Sequence, residues 1–327
     1  MLDVKVKIDL LKPTASLEWG YPLIISKGTA VAYTECAGIA DVVAAGFAET
    51  TDVYKAAAIM FGQSPSPAKI AVCSLATIDA QGLAAIAGES FRQAVVAGEL
   101  TEEEIATCIS VVTASSDKIA FIGCDSATEA SAISASDRIV AVVHKTEAQL
   151  AAAAVAGATA GYEVGSITYK NIIINGITPE NLTETEITAI HTANAITILK
   201  KAGDVVTSEG LTKSGEYVDV VDCKDYIVQQ ITNSVQGLLN SSAKIPYDDR
   251  GIALLENCVF NILKSAYNKG MIAVDAEGNP LYAVNFALRS EVPEGDIAAR
   301  KYKGGQFAFT LAGAVHEVEV TGEISVA

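Results

Sequence analysis

Residues 2–10 alternate strictly. Leu2, Val4, Val6, Ile8 and Leu10 share one side, and Asp3, Lys5, Lys7 and Asp9 share the other. Residues 317–326 repeat the pattern, with Val318, Val320, Ile324 and Val326 set against Glu317, Glu319, Thr321, Glu323 and Ser325. A period of two marks a half-buried strand, so a strand is expected near each end of this sequence. Chain termini are ordinarily frayed and polar, and these two segments have the pattern of strands that pair with something. Between the first strand and the next apolar run, "KPTASLEWGYP" (12–22) contains two prolines and a glycine and predicts an extended connector.

Further along, "LIISKGTAVAY" reads as strand, and the stretch from "GIADVV" to "IAVCSL" reads as helix, helix, strand. Thr50, Thr51 and Asp52 offer an N-cap for "VYKAAAIMF", which "SPSP" then stops. β-Branched runs at 70–73, 118–124, 138–143, 171–175 and 195–199 alternate with helical stretches near 79–97, 101–113, 126–135, 147–160 and 183–194. Such alternation predicts a sheet with helices packed on it. Past residue 200 the sequence turns polar and glycine-punctuated through "KAGDVVTSEGLTKSGEYVDVVDCKDY", which predicts a hairpin region. Two amphipathic helices follow. One has Ile227, Ile231, Val235, Leu238 and Leu239 on a face, and the other has Ile252, Leu255, Val259, Ile262, Leu263 and Ala266. Pro246 separates them, Asp248 or Asp249 caps the second, and Gly270 ends it. The remainder is β again. The expected fold class is therefore α/β (α+β). An N-terminal arm and connector (1–19) leads into an α/β domain (20–195), a second α/β domain (196–312) and a C-terminal strand or arm (313–327).

Composition narrows the function. Half of the 327 residues are hydrophobic and the net charge is −16, which excludes a nonspecific nucleic-acid binder. No apolar run reaches the length of a membrane span, so membrane insertion is not expected. Cys36, Cys73, Cys108, Cys124, Cys223 and Cys258 form no CxxC pair, and several lie inside apolar runs, which points to small core residues in a reducing cytosol.

Candidate chemistry is sparse. "GLTKSGEY" (210–217) has a lysine and a serine, Lys213 and Ser214, but not the spacing of a phosphate loop, so a hairpin turn is the favoured reading. His144, His191 and His316 are far apart, with no metal-ligand spacing. "YDDRG" (247–251) pairs two carboxylates with an arginine, and helix capping plus a local ion pair accounts for it. No catalytic residue, metal site or cofactor is predicted.

The terminal strands then carry the functional weight. Burying five aliphatic side chains gives roughly 1.5–3 kcal/mol each, and each ladder hydrogen bond about 0.5–1.5 kcal/mol. Ordering ten residues costs on the order of 1–2 kcal/mol apiece. These terms nearly cancel for one arm, so strand addition is favoured mainly in a cooperative many-subunit lattice. Pairing of both strands within the chain's own sheet is the alternative.

Three stretches in order carry a family resemblance: "TECAGIADVVAAGFAETTDVYKAAAIMFGQSPSPAKIAV", "SEGLTKSGEYVDVVDCKDYIVQQITNSVQGLLNSSAKIPYDDRGIALLENCV" and "DIAARKYKGGQFAFTLAGAVHEVEVTGEISV". Together they resemble the tail sheath proteins of contractile phages and phage-tail-like bacteriocins. The resemblance implies a structural subunit, not an enzyme. Its copies would stack as sixfold rings around an inner tail tube, meet baseplate and tail-terminator proteins, and contract to drive the tube through a target envelope. It implies assembly in a bacterial host's cytoplasm. Leu2 to Leu10 and Val318 to Val326 would be arms that add strands to neighbouring subunits. It also implies a tube contact through "DIAARKYKG", with Arg300, Lys301 and Lys303 as candidates; a solvated face balancing Glu291, Glu294 and Asp296 is the alternative. A protruding decoration domain of the kind that larger members carry finds no room in this sequence. The competing functions are a cytosolic α/β enzyme without a linear motif and another self-assembling tail component.

Overall fold

Several runs in the first two-thirds of the chain are apolar at nearly every position, and this pattern suits strands buried on both faces. The computed structural model, which describes residues 19–316 and Val318, bears this out. The strands are β1 (Tyr21–Lys27), β2 (Val31–Cys36), β3 (Ile70–Leu75), β4 (Phe91–Ala97), β5 (Ile119–Cys124), β6 (Ile139–Val143), β7 (Ala195–Lys201) and β8 (Asp204–Thr207). They form one sheet in the order β2-β3-β1-β4-β5-β6-β7-β8. The interior pairs are parallel, while β2 on β3 and β8 on β7 are antiparallel at the two margins.

Helices cover both faces. On one side lie α1 (Ile39–Ala44), α2 (Asp52–Phe61) and α6 (Ala148–Ala160), packed over Ile24, Val72, Val95, Phe121 and Val142. On the other lie α3 (Ala80–Ala87), α4 (Glu102–Thr113), α5 (Ala127–Ala132) and α7 (Glu184–Thr192), over Leu23, Ile25, Cys73, Ala94 and Ile122. Adjacent residues Leu23, Ile24 and Ile25 alternate between the two cores, as the pleat requires. Alanine richness has its purpose in α6, whose residues 151–159 are all buried. A Cβ on Gly157 would stand 2.6 Å from the Met60 Cα, so α2 and α6 meet backbone to backbone. The helix starts follow side-chain caps: Thr51, Asp79 and Ser126 each accept from the third residue on, and Thr101–Glu104 and Thr183–Glu186 are full capping boxes.

The last third forms a smaller unit. Helices α8 (Val218–Ser241) and α9 (Asp249–Asn268) make an antiparallel pair, with Asp248 capping α9 through the Gly251 N–H at 2.9 Å. Strands β9 (Tyr282–Phe286) and β10 (Gly305–Phe309) flank the short α10 (Glu294–Ala298) and pair antiparallel. Tyr282, Val284, Phe286, Phe307 and Phe309 lie against Ile227, Ile231, Val259 and Leu263 of the helices.

Four local expectations change. The helix expected over 79–97 is α3 followed by β4, because Gly88 to Ser90 turns the chain into a fully buried strand. The run 171–175 is not a regular strand. It meets the outer edge of β8 through the Ile173–Val206 bridge and hydrogen bonds from the Asn171 and Ile174 amides. The hairpin region at 201–226 is shorter than expected. Ala202 and Gly203, both at positive φ, turn β7 into β8, and α8 already begins at Val218. β7 also runs across the 195/196 boundary, so the large sheet continues to Thr207.

Candidate assembly surfaces

The β9–β10 ribbon is the first surface with functional potential. It has two strands, too few for stability in isolation, and it is held by packing of its aromatic face on α8 and α9. Among the described residues no strand pairs with the outer edge of β9 over 282–286 or of β10 over 305–309, while residues 272–274 bridge the adjoining Leu311 and Pro280. Ala283, Asn285, Gln306 and Ala308 face outward. By contrast, the margins of the large sheet are blunted. β8 is covered by 171–174, and β2 carries the Glu35–Lys69 ion pair at 3.0 Å.

Of the expected arm residues, Leu2, Val4, Val6, Ile8, Leu10, Val320, Ile324 and Val326 lie outside the described residues. Val318 is described, lies in no strand, and is 78% exposed. The candidate tube contacts are described in full. Arg300, Lys301 and Lys303 are exposed and follow directly on α10. The Lys303 ammonium pairs with Asp296 at 2.7 Å, whereas Arg300 and Lys301 have no ion pair among the described residues. Arg300 sits at φ +55°, and the Lys301 carbonyl accepts a 3.0 Å bond from Tyr247 Oη, so this turn is fixed in shape.

A third feature joins the two units. Arg92, at the start of β4, is 3% exposed. It donates through Nε to Asp222 Oδ1 at 3.1 Å, through Nη1 to Asp225 Oδ2 at 2.8 Å, and to the Asp117 carbonyl at 2.5 Å. Arg138 holds the same Asp225, with Nη2 to Oδ1 at 2.9 Å, and Tyr169 Oη donates to Asp222 Oδ2 at 2.6 Å. Burial opposes the Arg92 charge, and the two aspartates outweigh it and hold the pKa above its usual value. Burial, with Asp222 beside it, pushes the Tyr169 phenol far up. α8 is thus bound to the sheet by ions as well as by packing. Sequence reasoning missed this cluster. The available signal was Asp219, Asp222 and Asp225 at intervals of three, a helical spacing inside a stretch taken as hairpin.

Beside the cluster, Trp19, Gln93, Thr159 and Asp219 line a cavity of about 40 Å³. Gln93 Oε1 and Asp219 Oδ1 are buried there without a hydrogen-bond partner, and burial raises the Asp219 pKa.

Features with catalytic potential are structurally accounted for. His144 is buried, with Nε2 2.9 Å from the Thr178 carbonyl and Nδ1 accepting from the Glu147 amide at 3.0 Å. His191 Nε2 lies 3.0 Å from Ser208 Oγ, and burial lowers its pKa. Lys213 is buried and bonds the Ala193 carbonyl, so "GLTKSGEY" is a turn and not an anion cradle. Asp248 caps α9, and Asp249 accepts from the Arg289 amide at 2.8 Å. Burial pushes the Cys73, Cys108, Cys124 and Cys223 thiols up to about 12, which makes them inert. Among the described residues no cluster of ligands has a metal-binding arrangement, and no helix is long and apolar enough to cross a membrane.

The fold is thus a three-layer α/β/α sandwich with an appended helical pair and a two-stranded ribbon. Solved structures from contractile tail-like particles have a similar fold. The structure superposes on a chain of the anti-feeding prophage baseplate with a TM-score of 0.74 at 13% identity, covering 100% of both chains. It matches the contracted sheath complex of an extracellular contractile injection system, PVC, with a TM-score of 0.73 at 12% identity, over 100% of this chain and 99% of the other. A sheath tail protein of Listeria innocua gives a TM-score of 0.61 at 11% identity, over 83% of this chain and 90% of that one. No protein-family profile matches the sequence, and no curated protein matches it.

Proposed function

We propose that the chain is a structural subunit of a contractile tail sheath. Its copies polymerise in stacked sixfold rings around an inner tube and contract to drive that tube through a target envelope. The observation that carries this is the end-to-end correspondence of fold with the anti-feeding prophage and PVC chains, with no part of either chain left over in the first. A likeness confined to the sandwich would have admitted many functions. The match also takes in the helical pair and the ribbon. The enzyme alternative loses support because His144, His191 and Lys213 are held by hydrogen bonds and the Cys73, Cys108, Cys124 and Cys223 thiols are buried. The protein acts on no substrate in this reading and needs no cofactor. Its partners are itself, the tail tube, and baseplate and terminator proteins, and it works in a phage or phage-tail-like particle assembled in the bacterial host.

Strand pairing supports the same reading. The segments 2–10 and 318–326 are strand donors by pattern, and the ribbon's unpaired edges suit them as acceptors. Electron microscopy of the purified chain tests the assignment. Full-length protein is expected to form hollow tubes, and protein lacking residues 1–10 is expected to keep its circular dichroism spectrum but remain as small particles. Tubes formed equally well without those residues overturn the arm assignment.

The basic turn after α10 is the candidate tube contact. Arg300 and Lys301 offer two cations with no ion pair among the described residues, in a chain of net charge −16. Co-sedimentation with tail tubes is expected to weaken steeply between about 50 and 500 mM salt, as screening shortens the reach of exposed charges. Replacing Arg300, Lys301 and Lys303 with glutamine is expected to abolish that salt dependence. Unchanged binding by the triple variant excludes the contact.

A further inference from the structure

The roots of both terminal segments rest on one helix. Trp19 is the single tryptophan of the chain. Its ring lies 4.6 Å from the Arg92 guanidinium and edge-on to Tyr226 at 5.6 Å and 78°. Arg92 is itself bound to Asp222, so Trp19 contacts α8 directly through Tyr226 and indirectly through the arginine. At the other end, the His316 ring meets Tyr217, the residue that opens α8, at 4.7 Å and 89°. His316 Nε2 lies 2.8 Å from Thr168 Oγ1, and Nδ1 lies 4.0 Å from the Glu209 carboxylate.

Exposure around His316 runs against hydrophobicity. Val315 and Val318 are 80% and 78% exposed, while the histidine side chain is only 14% exposed. Hydrophobic burial would dock the valines. Here a polar ring is docked instead, and the aliphatic side chains on either side of it are turned outward. This contact contributes position more than core. Tyr217 and Tyr226 are nine residues apart, which is about 14 Å along a helix.

We propose that the first half of α8 is a shared anchor for both arms, with Trp19 and His316 as the positioning residues that fix where each arm leaves the body. Tension between the N- and C-terminal arms would then converge on one short helical segment, which its ionic attachment to β4 ties to the large sheet. The proposal rests on the sheath assignment only for the statement about tension. The two contacts themselves are testable on the unassembled chain.

The test uses full-length protein carrying Tyr226→Leu, Tyr217→Leu, Thr168→Val, or both tyrosine changes. Acrylamide quenching of Trp19 fluorescence is expected to rise at least about twofold in Tyr226→Leu and to stay unchanged in Tyr217→Leu. The His316 ring-proton NMR shifts, displaced by the Tyr217 ring at 4.7 Å, are expected to move towards unstructured values in Tyr217→Leu and Thr168→Val and to stay unchanged in Tyr226→Leu. Amide exchange in β4–β6 serves as the folding control and is expected to be constant. In tube assembly, releasing both roots is expected to cost no more than releasing one, because the anchor is a single link in series. Roots that stay protected in all variants overturn the anchor, and multiplicative assembly losses overturn the shared path. If the wild-type chain forms no tubes while both roots respond as expected, the sheath assignment fails and the anchor stands.

Discussion

Arg92 shows how a single residue joins two units of structure. Its guanidinium is buried, carries two aspartates from α8, and is covered by the Trp19 ring. Removing one partner of a buried ion pair leaves an uncompensated charge, at a cost of about 3–5 kcal/mol. Asp225 has the most to lose, because it serves both Arg92 and Arg138. Asp225→Asn is expected to lower unfolding stability in urea by that amount, and a loss below about 1 kcal/mol contradicts the role assigned to the cluster. None of this was legible in the sequence as a site. Arg92 and Arg138 stand in apolar strand context, and their partners come from a helix more than eighty residues further on.

The elements were more legible where a local rule decides them. Caps at Thr51 and Asp248 and the stop near Gly270 fall where the sequence places them, because capping needs only residues three or four apart. β4 was hidden because "FRQAVVA", buried at every position including Arg92 and Gln93, has no period of two to separate it from the helix before it. Two predictions belong at this scale. Gly157→Ala would ordinarily favour a helix by about 1 kcal/mol. The added methyl would meet the Met60 backbone at 2.6 Å, so net destabilisation of about 1–3 kcal/mol is expected in thermal unfolding. At the α7 capping box, the bond from Lys145 and the Thr183 amide and hydroxyl hold the Glu186 carboxyl down at about 2. A depressed acid contributes stability above its unfolded pKa, about 4.3, and loses it as pH falls through the folded value. Amide protection in the first turn of α7 is therefore expected to fall between pH 4 and 2 in the wild type, and to show no such step in Glu186→Gln.

For the whole molecule, the three-layer architecture was legible from the alternation of strand and helix runs, but the extent of the sheet was not. β8 lies beyond the point where the sequence turns polar, and only tertiary pairing with β7 and with residues 171–174 draws it into the sheet. The candidate site divides in the same way. The arm segments, of which only Val318 lies among the described residues, and the basic turn could be proposed from pattern and charge. The ribbon edges and the shared anchor could not, because each depends on residues brought together from distant parts of the chain. Both lie in the smaller unit or at its junction with the sandwich.

The unfinished state of the β9–β10 ribbon has a kinetic consequence for the proposed sheath. Among the described residues a free subunit offers the pair β9–β10 as template, whereas a growing end would present ribbons already widened by strands from the previous layer. Starting a filament would then be much slower than extending one. Bulk assembly should show a lag that short preformed fragments remove, and a dense pool of subunits could persist until a baseplate supplies the first ring.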